Sequence, residues 1–261
     1  MEDTSFVDSG EAIAKAERVA VLDAIRISAG NGSVARHFWE TALGLHFVDE
    51  REVSDAATRE VWGIRHGALR LTRLEVAPGI LPRFELLEWE GCSAKPIRDT
   101  RHPWDYGLLA VRIPVSDLAA RLNEVAHWRC KIERNGPEAC LTTPGGERVI
   151  LREGGEPAVI AVVPSIAGAK GFFHDSLLFP NGVPARTEKR FAGAASVDLV
   201  ETLRLGALEV AEFRRSADPR PAGATESRMH VGYTGYCMLS VTGAAPGMMI
   251  APGGIPVEVT L

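Results

Sequence analysis

Hydrophobic and polar residues follow the same order in several successive stretches of the chain. Residues 19–30 alternate as a strand does, and Asn31 can cap a helix that runs to about Leu43 and ends at Gly44. Three further strands fit the segments HFVDEREV, ALRLTRLEVA and RFELLEWE. The first unit of the chain is therefore predicted to be βαβββ.

A second unit repeats this order of elements. A strand at 105–115 precedes a helix capped by Ser116 or Asp117. Three short strands follow, with the sequences KIERN, EACLTT and ERVILRE. The turn between the last two contains Pro144 and two glycines, which favour a tight reversal of the chain.

A third unit begins with a strand at 158–165 and continues with a helix at 167–178. Its remaining strands are expected near 184–191, 196–205 and 208–213. A fourth unit begins at 232–241, but its continuation is rich in Gly and Pro and predicts a loop and hairpin. We expect this unit to lack the helix and to have no clear last strand.

Two repeated motifs indicate how the units are grouped. The helix motif VARHFWETALGL of the first unit resembles GAKGFFHDSLLF of the third, and the last strands FELLEW and LEVAEF also match. In the even-numbered units, His102 precedes Gly107 at the same spacing as His230 precedes Gly235. We therefore expect a flexible arm at 1–17, a domain of units 1 and 2 at 18–155, and a domain of units 3 and 4 at 156–261.

Composition narrows the classes of function. The net charge is −5 and the pI is about 5.9, which argues against a nucleic-acid binder or a protein of anionic membrane surfaces. Cys92, Cys130, Cys140 and Cys237 form no CxxC pair and indicate reduced thiols in a cytoplasmic protein. The expected partner is a small molecule, and a homodimer stays open.

The four units and their repeated helix and strand motifs resemble the vicinal oxygen chelate superfamily, which includes glyoxalase I, extradiol dioxygenases and bleomycin-binding proteins. The resemblance covers about residues 19–245. It implies an α+β fold, with four βαβββ modules paired into two glyoxalase-like domains that have curved mixed sheets. It also implies a cleft in which His and Glu, from first and last strands, hold a divalent metal.

The metal-ligand positions implied by the resemblance are mostly filled by other residues. The first-strand His position falls on Ala24, Ala110, Ala158 and about Tyr236. The last-strand Glu position falls on Glu85 and Glu209, and on Ile150 in the second unit. Because a catalytic metal needs about three protein ligands, we expect no metal and no cofactor.

Strand alternation then indicates what lines the cleft of the first domain. Substrate-binding candidates there are Arg26, Arg112, Arg148 and Trp89, around Glu85. Buried arginines need partners, so two outcomes are open. Either Glu85 pairs with Arg26 or Arg112 in an internal network, or the arginines bind an anionic ligand.

The predicted cleft of the second domain is more apolar. It combines Glu209 with Tyr236 and Met238, next to small and aromatic residues of the third unit. Glu209 is a candidate acid or base, unless it pairs with an arginine such as Arg204 or reaches water. His102 and His230 precede first strands, where they either reach a cleft mouth or are turn residues inherited by duplication.

Three functions are compatible with these residues. The first is a metal-independent isomerase, lyase or cyclase in which Glu209 or Glu85 is the base and Tyr236 or an arginine stabilises negative charge. The second is a non-catalytic protein that sequesters a drug or metabolite. The third keeps a metal on atypical ligands, such as Glu209 with His230. The sequence favours the enzyme by a small margin.

Overall fold

The first module of the chain folds as predicted into a strand, a helix and three strands. A computed structural model describes residues 19–53, 69–89, 106–184, 197–215, 235–243 and 246–261, so the predicted arm at 1–17 lies outside the described residues. The elements of module 1 are β1 Val21–Ala29, α1 Gly32–Thr41, β2 His46–Val53, β3 Leu69–Glu75 and β4 Arg83–Trp89.

Modules 2 and 3 repeat this order. Module 2 contains β5 Gly107–Val115, α2 Leu118–Ala126, β6 Lys131–Asn135, β7 Glu138–Thr142 and β8 Arg148–Glu153. Module 3 contains β9 Ala158–Val162, α3 Ile166–Lys170, which continues as a π-helical turn at Gly171–Ser176, and then β10 Val183–Pro184, β11 Val197–Leu205 and β12 Leu208–Arg215.

Side-chain caps fix the starts of the first two helices. The Asn31 side chain accepts a hydrogen bond of 3.0 Å from the backbone N–H of Val34, which confirms the predicted cap of α1. Of the two cap candidates for α2, Asp117 is the one used, and it accepts from the backbone N–H of Ala120 at 2.9 Å. Gly44 follows α1 with a φ of +76°, a conformation that favours glycine.

Module 4 is shorter than the others and consists of β13 Gly235–Thr242, β14 Gly247–Ala251 and β15 Ile255–Thr260. Only four residues separate β13 from β14, so the chain has no room for a helix there, and β14 and β15 form the predicted hairpin. The expectation that this module lacks a clear last strand is wrong. β15 lies parallel to β13, just as β4 lies parallel to β1.

The strands form two mixed sheets, in agreement with the predicted α+β class. Sheet 1 has the order β14-β15-β13-β1-β4-β3-β2, and sheet 2 has the order β10-β11-β12-β9-β5-β8-β7-β6. Within each module the first and last strands are parallel neighbours. Two modules meet in each sheet through antiparallel first strands, β1 with β13 and β5 with β9.

This pairing corrects the expected partners of the modules. Sheet 1 joins module 1 to module 4, and sheet 2 joins module 2 to module 3, whereas the sequence suggested modules 1 with 2 and 3 with 4. Sheet 2 therefore crosses the predicted boundary between 155 and 156. The local pattern of a module specifies its own strands, but its partner is chosen by long-range contacts that the pattern does not encode.

Helices cover one face of each sheet. Trp39 of α1 packs on Phe84 of β4 with ring centroids 5.5 Å apart, and Phe38 packs edge-on against Trp128 of module 2 at 5.1 Å. One continuous cluster of buried apolar residues covers the helix side of both sheets. None of the helices in the described part of the chain is long and apolar enough to span a membrane.

The two faces that point away from the helices carry the candidate site residues. We call the first the Arg26 face, defined on sheet 1 by Arg26, Arg73, Glu85, Met238 and Glu258. The second is the Arg112 face, defined on sheet 2 by Arg112 and Glu209 together with Ala110, Ile150, Ile160, Ala211 and Phe213.

Candidate functional site

Arg26 is the centre of a buried ion-pair cluster on sheet 1. Its Nε donates a hydrogen bond of 2.7 Å to Glu85 Oε2, and its Nη1 donates to Glu258 Oε2. The same Nη1 lies 3.0 Å from the sulfur of Met238. Arg26 is 4% exposed and Glu85 2%, so this charge has been moved almost completely out of water.

Glu85 joins Arg26 to a second arginine. Its other oxygen, Oε1, accepts hydrogen bonds from Arg73 Nε at 3.2 Å and Nη2 at 3.1 Å, and Arg73 Nη1 also donates to Asp49 at 3.0 Å. Burial alone would raise the pKa of Glu85, but Arg26 and Arg73 together lower it below its usual value. Burial likewise acts to lower the pKa of Arg26, and the carboxylates of Glu85 and Glu258 raise it.

A third arginine on this side of sheet 1 is also paired. Arg83 donates to Asp23 at 2.9 Å and to Glu75 at 3.0 Å. The arginines of the Arg26 face are therefore matched by carboxylates of the same sheet. Of the two outcomes left open by the sequence, this face adopts the internal network.

The Arg112 face carries one ion pair in apolar surroundings. Arg112 Nη1 donates to Glu209 Oε1 at 2.6 Å, and their side chains are 12% and 5% exposed. The Nε of Arg112 is buried and has no hydrogen-bond partner among the described residues. Arg204, the other predicted partner of Glu209, instead donates to Glu156 at 2.7 Å.

The surroundings of this pair are small aliphatic and aromatic side chains. Ala110, Ile150, Ile160, Val162, Ala211 and Phe213 form a buried apolar cluster of their own, separate from the main core. Tyr106 and Cys140 pack against the cluster and are only half-buried. Solvent therefore reaches the Arg112 face on the side where Tyr106 and Cys140 lie.

The predicted basic cleft does not form, because its arginines belong to different sheets. Arg26 lies on β1 of sheet 1, whereas Arg112 lies on β5 of sheet 2. Arg148 shares sheet 2 with Arg112 and is half-buried, and Arg152 lies 3.5 Å from Glu138. Grouping Arg26 with Arg112 depended on pairing modules 1 and 2 and fails with that pairing.

A β-bulge separates Tyr236 from Met238. On β13, Met238 pairs with Arg26 while Tyr236 pairs with Ile27, so the register shifts at Cys237. Neighbouring residues on β1 point to opposite faces; Met238 therefore joins the Arg26 face, and Tyr236 joins Ile27 in the main core. The expectation that both line an apolar cleft with Glu209 is wrong, since Glu209 belongs to sheet 2.

Three other candidates cannot be placed at a site. Trp89 is the last residue of β4, and its side chain is not among those described. His102 and His230 lie outside the described residues. Their roles at a cleft mouth stay predictions.

Sequence reasoning missed Glu258, the carboxylate that completes the Arg26 cluster. It lies on β15, the last strand of module 4, which the Gly- and Pro-rich context concealed. A signal was present, because PVEV places an acidic residue inside a short apolar strand, and FELLEW and LEVAEF also contain acidic residues. Glu85, Glu209 and Glu258 each lie on the last strand of a module.

The described residues also line a cavity of about 330 Å³ between α1 and the β7–β8 turn. Its wall includes Val34 and Phe38 from the helix, and Glu147 from the turn. Glu147 is buried and bonded to the Thr143 hydroxyl, and burial raises its pKa. This cavity lies on the helix side of the sheets, away from the Arg26 and Arg112 faces.

Some solved structures are similar to this chain over more than nine-tenths of its length. Glyoxalase I from Zea mays matches with a TM-score of 0.59 at 13% identity over 92% of both chains, and a mutant of that enzyme reaches 0.63 at 12% identity. A dioxygenase-like protein from Bacillus subtilis matches with a TM-score of 0.58 at 10% identity, over 94% of this chain and 86% of its own. No protein-family model and no curated protein matches the sequence.

The chain therefore has the fold of the vicinal oxygen chelate superfamily, as the repeated motifs suggested. It is a two-sheet member of that fold, similar over its length to plant glyoxalase I. At these identities the likeness establishes the fold alone, because one fold supports many different chemistries.

The residues at the centre of sheet 1 do not fit the divalent metal that the fold implies. Two carboxylates, Glu85 and Glu258, are present, but Ala24 stands at the expected His position and a guanidinium lies between the carboxylates. Among the residues that the structure describes, no group of three His, Cys, Asp or Glu side chains could hold a metal ion. The side chains described at this centre are therefore suited to a guanidinium and not to a divalent cation.

Proposed function

We propose that this protein binds a small, partly apolar molecule on the Arg112 face of sheet 2, without a metal. The observation that carries the proposal is a single buried ion pair, Arg112 with Glu209, set in an otherwise apolar surface. Ligand sites are typically apolar with a few polar groups that fix orientation. The Arg26 face is less suited to this role, because its arginines and carboxylates already satisfy one another.

The chemistry of Arg112 supports a ligand with a hydrogen-bond acceptor. Its Nε carries a hydrogen that has no partner in the part of the chain that the structure describes, and a buried donor without a partner is costly. A carboxylate or carbonyl oxygen of the ligand would accept from this nitrogen. The ligand class is therefore a small aromatic or alicyclic molecule with one acidic or carbonyl group.

Sequestration is favoured over catalysis because of how the carboxylates are held. Glu209 is engaged by Arg112 at 2.6 Å, so one of its two carboxylate oxygens is already occupied by a hydrogen bond. Glu85 is bonded to two arginines, and Tyr236 points into the main core. Each of the three catalytic candidates suggested by the sequence is thus held by a hydrogen-bond partner within the protein.

Acid–base catalysis by Glu209 is the second candidate, as an isomerase, lyase or cyclase. One arrangement favours it: Arg112 lies beside Glu209 in apolar surroundings, where a fixed cation stabilises developing negative charge strongly. In that case Glu209 would accept a proton from the ligand, and Arg112 would stabilise the anion that remains.

Protection of Cys140 from a thiol reagent tests binding on the Arg112 face. The probes are a panel of small aromatic carboxylates, and labelling is followed for each cysteine by peptide mass spectrometry. We expect a binding probe to slow the labelling of Cys140 severalfold and to leave the half-buried Cys130 unchanged, since Cys130 packs against the main core. Equal protection of both thiols, or loss of protection in chelator, would contradict the proposal.

The Glu209→Gln variant separates sequestration from catalysis. If Glu209 is a base, this variant loses turnover and keeps its affinity for the probe. If the protein sequesters its ligand, no conversion of a bound probe is detected in either form. Elemental analysis of the purified wild type gives an independent measurement, and one equivalent of transition metal per chain would oppose a metal-free site.

A further inference from the structure

The centres of the two sheets have equivalent positions, and one difference between them is the residue that pairs with the arginine on the last strand of the same module. In sheet 1, Arg26 pairs across the parallel strands with Glu85, and in sheet 2 the corresponding pair is Arg112 with Ile150. The opposite module contributes Glu258 to sheet 1 and Glu209 to sheet 2. Sheet 1 therefore has two last-strand carboxylates around its arginine, whereas sheet 2 has one.

In sheet 1, both carboxylates bind the same guanidinium. Arg26 donates through Nε to Glu85 and through Nη1 to Glu258, and the three side chains are 5%, 3% and 14% exposed. The carboxylates come from modules 1 and 4, so the guanidinium joins the two halves of the sheet at its centre. A divalent cation between two glutamates would have the same neighbours.

We propose that the guanidinium of Arg26 is the resident cation of sheet 1, held between Glu85 and Glu258 where a divalent metal would bridge them, and that it keeps such a metal out. Two cations in one buried site repel each other strongly, since screening by water is weak there. Both oxygens of Glu85 already accept hydrogen bonds, one from Arg26 and one from Arg73. The site is thus a structural centre closed to metal, whatever sheet 2 binds.

Without the guanidinium of Arg26, the site should become able to bind another cation. In Arg26→Gln, Glu85 and Glu258 lose their common partner while they stay close together. Mn²⁺ and Ca²⁺ prefer carboxylate oxygens, and methylguanidinium reproduces the head group that was lost. Each should restore stability to this variant and leave the wild type unaffected.

The test is thermal unfolding of the full chain with and without low-millimolar MnCl₂ or methylguanidinium chloride. Loss of one partner of a buried ion pair should lower the Tm of Arg26→Gln by roughly 10 °C. We expect either cation to recover several degrees of this loss. The double variant Arg26→Gln with Glu258→Gln should show no Mn²⁺ response, because one carboxylate has gone.

Arg112→Gln is the matched control. It removes the equivalent arginine of sheet 2, where only Glu209 is left and Ile150 replaces the second carboxylate. We expect its Tm to fall and Mn²⁺ to give no recovery. A recovery as large as that of Arg26→Gln would overturn the inference, because one carboxylate would then suffice.

Arg26→Lys keeps the test decisive if Arg26→Gln does not fold. Lysine retains the positive charge, so this variant should fold and show no rise in Tm with Mn²⁺. The inference fails if the wild type or Arg26→Lys binds one equivalent of Mn²⁺ and the added substitution Glu258→Gln abolishes that binding. It also fails if Arg26→Gln folds and is as stable as the wild type.

Discussion

Tyr236 joins the two sheets by a hydrogen bond to the backbone of Arg148. The phenolic oxygen of Tyr236, on β13 of sheet 1, donates to the Arg148 carbonyl oxygen, on β8 of sheet 2, at 2.5 Å. Burial raises the pKa of Tyr236 well above its usual value of 10, and nearby Glu147 adds to the effect. The phenol therefore holds modules 4 and 2 together and stays protonated at neutral pH.

Tyr236→Phe should lower the free energy of unfolding by about 1–2 kcal/mol, because the Arg148 carbonyl would lose its buried partner. Urea denaturation measures this loss. Protection of Cys140 by a bound aromatic carboxylate should not change, since Tyr236 lies on the helix side of the sheet. Loss of that protection with unchanged stability would instead restore Tyr236 to the ligand site.

Alkaline pH provides a control for the same residue. Because the folded pKa of Tyr236 is raised, its contribution to stability is complete below the unfolded value of about 10 and is lost as pH rises beyond it. Tyr236→Phe should therefore lose less stability than wild type above pH 10. A parallel loss in both proteins would contradict the assigned burial.

The sequence predicted the modules well and their assembly poorly. The cap of α1 at Asn31, the helix end at Gly44 and the missing helix of module 4 follow from local patterns and are confirmed. The pairing of β1 with β13 joins residues more than 200 positions apart, and no local pattern reports it. The predicted clefts were wrong wherever they depended on that pairing.

A one-residue irregularity accounts for the error at Tyr236. Strict alternation places Tyr236 and Met238 on one face, and the bulge at Cys237 moves Tyr236 to the other. The ion pair of Arg26 with Glu85, by contrast, was one of the open alternatives, because both residues lie within module 1. The predicted elements of modules 1 and 2 held, whereas the last strand of module 4, the bulge at Cys237 and the pairing of modules needed the structure.

Cys237 should resist thiol reagents in the folded protein. It is 3% exposed, its thiol donates to the Arg26 carbonyl oxygen at 3.3 Å, and burial raises its pKa to about 12. At pH 8.5 its thiolate fraction is then roughly a thousandfold below that of an ordinary cysteine. Peptide mass spectrometry after iodoacetamide treatment should find Cys130 labelled long before Cys237, with the difference abolished in urea.

Glu147→Gln should stabilise the protein at neutral pH and have little effect in acid. Burial raises the folded pKa of Glu147, so its carboxyl contributes fully below its unfolded pKa and becomes unfavourable as pH rises through the folded value. The gain of Glu147→Gln should therefore be present near pH 7 and absent near pH 4.

Urea denaturation at pH 4 and pH 7 measures the effect of Glu147→Gln. Glu133→Gln is the control, because Glu133 is well exposed and its ion pair with Lys131 is worth little in water. A gain in Glu147→Gln that is the same at both pH values would mean that the buried carboxyl is not the cause.

The Arg112–Glu209 pair should show strong coupling in a double-mutant cycle. Arg112→Met leaves Glu209 buried without a counter-charge, and Glu209→Leu leaves Arg112 in the same state, so each should cost about 3–5 kcal/mol. The double variant should cost clearly less than either single one, because Met and Leu can pack against Ile160, Ala211 and Phe213.

The half-exposed pair Arg36–Glu40 on α1 is the comparison, and its removal should cost less than about 1 kcal/mol. Additive losses of unfolding free energy for Arg112 and Glu209 would mean that water, rather than the partner side chain, stabilises each charge. The Arg112 face would then be too well solvated for the apolar ligand site proposed for it.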